Sequence, residues 1–136
     1  MLKMKVNFLL AEEIRPEVEG KLSVLGLFAG NTVLVGAPPV EAPMNAAAAI
    51  ERLAILAVVS STKPGKHKFS GRIFDPENNL YKPDAKFGEA DIPEGYSHSI
   101  IIELKPFVIK TFGTYRLEFF VDGEPHKFEF QVRAKP

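Results

Sequence analysis

An all-β fold is predicted, an antiparallel β-sandwich of immunoglobulin-like outline with about seven to nine strands, and three observations predict it. Short segments in which apolar and polar residues alternate recur about every 8 to 14 residues, a spacing typical of sandwiches and barrels. Turn-forming residues separate them, with 11 prolines and 10 glycines in 136 residues. The two clearest alternating segments meet at Asp122-Gly123, a dipeptide suited to a tight hairpin turn. A partly open β-barrel is the alternative architecture. No linker or internal repeat divides the chain, so residues 1–136 read as a single domain carrying a proline-rich loop or covering segment at 36–49.

Lys5 to Ala11 and Leu22 to Phe28 are the first strand candidates, separated by Arg15-Pro16 and Gly20. The second places Leu22, Val24, Gly26 and Phe28 inward, which leaves Leu25 and Leu27 on the outer face. Thr32 to Val35 is a short further strand, and the proline-rich stretch from Gly36 to Pro43 is loop or extended edge. Leu53 to Val59 is apolar at nearly every position. Either it is a central strand covered on both faces or it ends a helix starting near Asn45; its Ile and Val content and the Pro64-Gly65 turn after it favour the strand.

His67, Phe69, Gly71 and Ile73 alternate with Lys66, Lys68, Ser70 and Arg72 in the next strand, which stops at the turn formers Asp75-Pro-Glu-Asn-Asn79. A weak edge strand fits Ala85 to Ala90. Ser97 to Leu104 aligns His98, Ile100, Ile102 and Leu104 on one face until Pro106 interrupts the ladder. Tyr115, Leu117, Phe119 and Val121 then alternate with Thr114, Arg116, Glu118 and Phe120, and His126, Phe128, Phe130 and Val132 alternate with charged or amide residues. Phe120 faces the polar side. Glu124-Pro125 is expected to widen the hairpin loop.

Gly113-Thr-Tyr115, opening the penultimate strand, resembles the tyrosine corner of immunoglobulin-like sandwiches, in which a Tyr hydroxyl ties the strand start to nearby backbone. Four longer stretches carry a family resemblance: Asn7-Phe-Leu-Leu-Ala-Glu12; Gly20-Lys-Leu-Ser-Val-Leu-Gly26; Pro64-Gly-Lys-His-Lys-Phe69 running into Phe74-Asp-Pro76; and Phe112-Gly-Thr-Tyr115 running into Val121-Asp-Gly123. In these the chain resembles an uncharacterised family of small bacterial and phage-associated all-β proteins. The resemblance implies an immunoglobulin-like sandwich and supplies no activity or functional residue. The segment from Pro38 to Ala49 falls outside it.

Composition removes several functions. With no Cys there is no disulfide framework, thiolate zinc site, iron–sulfur centre or thiol nucleophile. Seventeen Lys+Arg against seventeen Asp+Glu leaves no net positive charge to serve as the footprint of a nucleic-acid binder or a polybasic membrane-surface protein. Lys3, Lys5 and Asn7 break the apolar start that an export signal would need, and no run is long enough for a transmembrane helix, so a cytoplasmic location is expected.

Three constellations remain. His67, His98 and His126 each begin the core-facing parity of a strand, and a hydrolase or isomerase would need two of them to meet near Glu89 or Asp91. The oxygen-rich loop from Asp75 to Asp84 suits a sugar- or ion-binding module, though without EF-hand spacing. Lys63, Lys66, Lys68 and Arg72 form a basic strand face whose Phe69 points to the core. Each has a simpler explanation, as rim histidines, a solvated turn and a wet strand face. No nucleophile elbow or phosphate loop is present, so no catalytic residue, metal site or cofactor is expected.

The surplus apolar residues are more informative. Leu25, Leu27, Ile101 and Phe120 occupy positions expected to be wet, and Phe107 and Phe112 cluster with Val108 and Ile109 around Pro106. If the 36–49 segment does not cover them, Phe107, Phe112, Phe120, Leu25 and Leu27 are interface candidates. The functional expectation is thus a non-enzymatic binding or assembly module acting through an apolar surface, with a protein partner or self-association and without nucleic acid or membrane.

Overall fold

The computed structural model describes residues 4–36, 48–60 and 62–136. Within them the chain forms eleven strands: β1 (Lys5–Pro16), β2 (Leu22–Leu27), β3 (Thr32–Val35), β4 (Ala48–Ile50), β5 (Leu53–Ser60), β6 (Gly65–Phe74), β7 (Leu80–Ile92), β8 (His98–Leu104), β9 (Phe107–Ile109), β10 (Gly113–Val121) and β11 (Glu124–Ala134). They build one four-stranded sheet in the order β2-β1-β5-β8 and one five-stranded sheet in the order β3-β11-β10-β6-β7. A two-stranded ribbon of β4 and β9 completes the fold. Two separate open sheets make this a sandwich and not a barrel.

The connections follow from where each strand can bury its side chains. Apolar on both faces, β5 takes the central place between β1 and β8, as its composition requires. The chain then crosses to the other sheet for the β6–β7 pair, returns for β8, and crosses again through β9 for the β10–β11 hairpin. Strands β5 and β8 on one sheet facing β6, β10 and β11 on the other reproduce the two-layer arrangement of immunoglobulin-like domains. Gly113-Thr-Tyr115 behaves as the sequence predicts, since Tyr115 Oη donates to the Thr111 carbonyl at 2.9 Å and pins the start of β10.

Between the sheets lies one large apolar cluster built from both inner faces, including Leu10, Ile55, Phe69, Ile102, Tyr115, Leu117, Phe119 and Phe130. Phe8 stacks on Phe128 at 5.1 Å and meets Phe119 edge-on at 6.0 Å, so aromatic rings lock β1 to the opposite sheet.

Several expectations need adjustment. Edge strand β7 is the longest in the fold, Leu80–Ile92, where only Ala85 to Ala90 is expected from sequence; its register slips against β6 around Phe69/Ser70 and beyond, and bulges blur an alternating pattern. The Asp122-Gly123 turn is a two-residue loop with φ of 52° and 85°, so Glu124 and Pro125 belong to β11 and do not widen it. Phe107 to Ile109, without a strand pattern in sequence, pairs with Ala48 to Ile50, the described end of the proline-rich segment. Residues 37–47 of that segment lie outside the described residues.

Candidate functional site

The five interface candidates do not converge. Phe107 is fully enclosed, with its ring against Tyr81, Tyr115 and Phe130, and is therefore a core residue and not a contact residue. Its run of Phe-Val-Ile is too short to show period two, which concealed its burial. Phe112 is 38% exposed just before β10, while Phe120 sits near the other end of that strand. Leu25 and Leu27 belong to the other sheet, on edge strand β2, at 41% and 57% exposure.

Phe120 has a local partner. On the outer face of the five-stranded sheet the Arg72 guanidinium lies 5.5 Å from the Phe120 ring centre and 5.4 Å from that of Phe74, and the Arg116 guanidinium lies 4.6 Å from the Phe74 ring centre. Arg72 Nε donates to Glu118 Oε1 at 2.8 Å, and Arg116 Nη2 donates to Asn78 Oδ1 at 3.1 Å. Aromatic faces attract guanidinium groups, so this alternating ladder covers its own apolar rings. The signal was available in sequence, because strand parity puts Arg72 and Phe74 beside Arg116, Glu118 and Phe120 once β6 and β10 are paired.

Among the described residues the four-stranded sheet carries no such guanidinium cover, although Ala11, Ile14, Ala54 and Leu56 are themselves buried. A second apolar cluster, Ala11, Ile14, Ala54 and Leu56, is packed by Leu22, Val58 and Ile101 and is separate from the main core. Pairing aligns Leu9, Leu56 and Ile101 across β1, β5 and β8 in one row and Leu27, Ala11 and Ala54 in the next, with Val24 opposite Ile14. The Leu9–Leu56–Ile101 row is thus apolar across three strands, while the row with Ala11 and Ala54 ends on Glu103 and the row on the other side sets Asn7 and Ser99 about Val58. Leu9 is 39% exposed and Val24 37%, beside Leu27. Charges gather at the end of the face, where Arg52 reaches Glu13 at 2.7 Å and Arg15 reaches it at 3.0 Å, near Glu103 and Lys105. The hydrogen bond from Arg15 holds the Glu13 carboxyl below its ordinary range.

A family model described as a family of unknown function, DUF6941, matches residues 6–133. The chain belongs to the DUF6941 family. Among curated proteins none matches it by sequence. Among solved structures, an alkylpurine DNA glycosylase from Pseudomonas fluorescens, bound to DNA containing an abasic site analog, superposes with a TM-score of 0.54 at 15% identity over 98% of this chain and 31% of that one. A β-glucosidase from Listeria innocua gives 0.46 at 10% identity over 97% of this chain and 16% of that one. An immunoglobulin-like protein from Pseudomonas aeruginosa gives 0.43 at 11% identity, over 96% and 97%. This DUF6941 chain spans about a third of the glycosylase, and at such identity the likeness is one of fold.

Of the three histidines of the DUF6941 chain, His67 and His98 are engaged in structural contacts, while His126 on β11 has its Nε2 buried without a hydrogen-bond partner. His67 Nδ1 meets Asp122 Oδ2 at 2.6 Å and its Nε2 donates to the Lys63 carbonyl at 2.7 Å, so this ring is directed at Asp122 and not at Glu89 or Asp91. His98 stacks on Phe69 at 5.4 Å, and Phe69 faces the core as its parity predicts. Glu89 lies 3.9 Å from both Lys66 and Lys68. In the oxygen-rich loop, Asp75 Oδ1 accepts the backbone N–H groups of Glu77 and Asn79 at 2.9 Å, Glu77 accepts the Thr111 hydroxyl at 3.2 Å, and Asn78 is held by Arg116. That is a turn closing on its own backbone. Among the described residues no three His, Asp or Glu side chains are grouped to hold a metal ion, and no helix is long and apolar enough to cross a membrane.

Proposed function

We propose that this DUF6941 domain is a non-enzymatic assembly module that self-associates through the outward face of its β2-β1-β5-β8 sheet, in a cytoplasmic setting and without nucleic acid or membrane. The observation that carries the reading is the second apolar cluster on that face, continued outward by Leu9, Val24 and Leu27. An antiparallel sheet in a lone sandwich ordinarily presents a polar face to water, and a contiguous apolar one marks a partner surface.

Charge favours a second copy as the partner. With seventeen charges of each sign the chain has no net charge to repel another copy, and Glu13 at the end of the face is paired within the chain by Arg15 and Arg52. A two-fold dimer would bury the same patch on both copies.

Sedimentation equilibrium on the wild-type chain and on a Leu9→Glu/Leu27→Glu variant tests this. Both sites are well exposed, so the variant should keep its unfolding midpoint while its mass falls from dimer to monomer. A wild-type chain that stays monomeric up to millimolar concentration overturns self-association, and a dimer unaffected by the two glutamates overturns the face assigned to it.

A further inference from the structure

We propose that His67 is a proton-gated latch that holds the β10–β11 turn and the β5–β6 connection onto the start of β6. The inference is independent of the assembly reading and rests on donor and acceptor arithmetic. The His67 side chain is only 11% exposed, and both of its ring nitrogens face oxygen acceptors: Nδ1 a carboxylate oxygen of Asp122, Nε2 the backbone carbonyl of Lys63. A carbonyl accepts only, and so does an ionised carboxylate. A neutral imidazole carries one N–H and satisfies one of the two. The imidazolium alone satisfies both.

The ring joins Lys63, four residues before it, to Asp122, 55 residues beyond it. Asp122 occupies the first position of the hairpin turn at φ 52°, where its Oδ1 accepts the Lys68 N–H at 2.8 Å and its own N–H donates to the Lys68 carbonyl at 2.9 Å. Lys63 precedes β6 by two residues. The same turn, with Gly123 and Lys68, forms one wall of an open groove of about 400 Å³ whose other lining includes Ser70, Lys86, Gly88 and Glu89, at the place where β6 and β7 slip register. Deprotonation of His67 therefore unties a wall of that groove.

The charges around the ring agree with the cationic form. Asp122 faces it from the turn, and Asp91 on β7, whose backbone pairs with Lys66 on β6, adds negative charge. The ammonium groups of Lys66 and Lys68 are exposed and lie beside Glu89, at 3.9 Å. The hydrogen bond to Asp122, then that to Lys63, raises the His67 pKa above its ordinary 6.5 against the opposing effect of burial. Burial works against the Asp122 carboxylate too, but the Lys68 N–H and His67 together hold its pKa below the ordinary value.

The sign follows. A folded-state pKa above the unfolded value means that the latch is fully closed below about pH 6.5 and weakens as pH rises through the folded His67 pKa. In that interval the closed state keeps a proton that the open state loses, so the opening constant rises about tenfold per pH unit. Base-catalysed amide exchange adds its own tenfold. Exchange of the Lys68 and Asp122 amides should thus rise more steeply than the tenfold per pH unit of base catalysis between pH 6.5 and the folded His67 pKa, up to about a hundredfold per unit.

Two NMR measurements on the intact chain decide the matter. Long-range nitrogen–proton spectra of the histidine rings should show one ring that loses its second proton above pH 6.5, and that signal should vanish in His67→Gln. The steep exchange at Lys68 and Asp122 should also revert to the ordinary slope in His67→Gln. A His67 ring that titrates at or below 6.5, or wild-type amides at Lys68 and Asp122 that rise above pH 6.5 only by the tenfold per unit of base catalysis, overturns the latch; both readings come from the wild-type protein and stand even if the variant does not fold.

Discussion

Removing the Tyr115 hydroxyl, by Tyr115→Phe, isolates the corner that joins β9 to β10. The ring is 1% exposed and packs against Phe107 at 5.2 Å and Phe130 at 5.6 Å, contacts that phenylalanine retains. What disappears is the donor to the Thr111 carbonyl. A net hydrogen bond contributes about 1 kcal/mol, and the abandoned carbonyl keeps part of its desolvation cost, so a loss of about 1–2 kcal/mol is expected at pH 7. For a domain of this size that is roughly 3–7 °C in unfolding temperature. The alkaline behaviour sharpens the test. Burial pushes the Tyr115 pKa up to about 12. Since the folded value exceeds the unfolded one near 10, the wild-type protein has the full contribution below pH 10 and loses it as pH rises toward 12, by roughly 3 kcal/mol over two units. Tyr115→Phe lacks that titration, so its urea-denaturation free energy should start below the wild type at pH 7 and cross above it before pH 12. Parallel curves for the two proteins between pH 9 and 11.5, or a deficit under about 0.5 kcal/mol at pH 7, would refute the assignment of the hydroxyl as a buried corner donor.

Other substitutions test the remaining contacts. A methyl group at Gly71 would lie 2.9 Å from the Phe87 ring and 3.0 Å from the Glu118 carbonyl oxygen, so Gly71→Ala should cost about 1–3 kcal/mol by urea denaturation. At Gly123 the same methyl meets open space and only the φ of 85° opposes it, which predicts a smaller loss, about 1 kcal/mol for Gly123→Ala. Arg72→Lys keeps the charge but not the planar group between Phe74 and Phe120; about 0.5–1.5 kcal/mol should be lost, and a Phe120→Ala background should remove most of that difference in a double-mutant cycle. Additive effects of Arg72 and Phe120 would show that the ring and the guanidinium do not interact.

Strands with one wet face were legible in sequence because period two needs only alternation. Tyr115 to Val121 and His126 to Val132 pair in the register that their pattern and the Asp122-Gly123 turn require, and Thr32 to Val35 is a strand with those bounds. The fold class, the central place of Leu53 to Val59 and the tyrosine corner all follow from local chemistry of this kind. Strands β4 and β9 carry too few residues for any period to register. Edge strand β7 is interrupted by bulges, and the β2 residues expected inward are mostly exposed, Val24 among them at 37%. Inward and outward cannot be assigned to an edge strand before its neighbour is known. The His67–Asp122 contact joins residues 55 positions apart, and nothing near either residue announces it.

The apolar surplus divides between the two sheets for a physical reason. On the five-stranded sheet it consists of aromatic rings, and a ring can be covered by a guanidinium from a neighbouring strand while that group keeps its carboxylate partner, as Arg72 does between Phe74, Phe120 and Glu118. On the four-stranded sheet it consists of Leu, Ile, Val and Ala, which offer no quadrupole for a cation to approach. Aliphatic side chains are relieved of water only by other apolar surface. Leu56 gets that relief from Ile101 and Val58 within the sheet, whereas Leu9, Val24 and Leu27 stay 39%, 37% and 57% exposed. Under the proposed self-association an identical face supplies that surface, and the mass of the chain in solution is the measurement that bears on it.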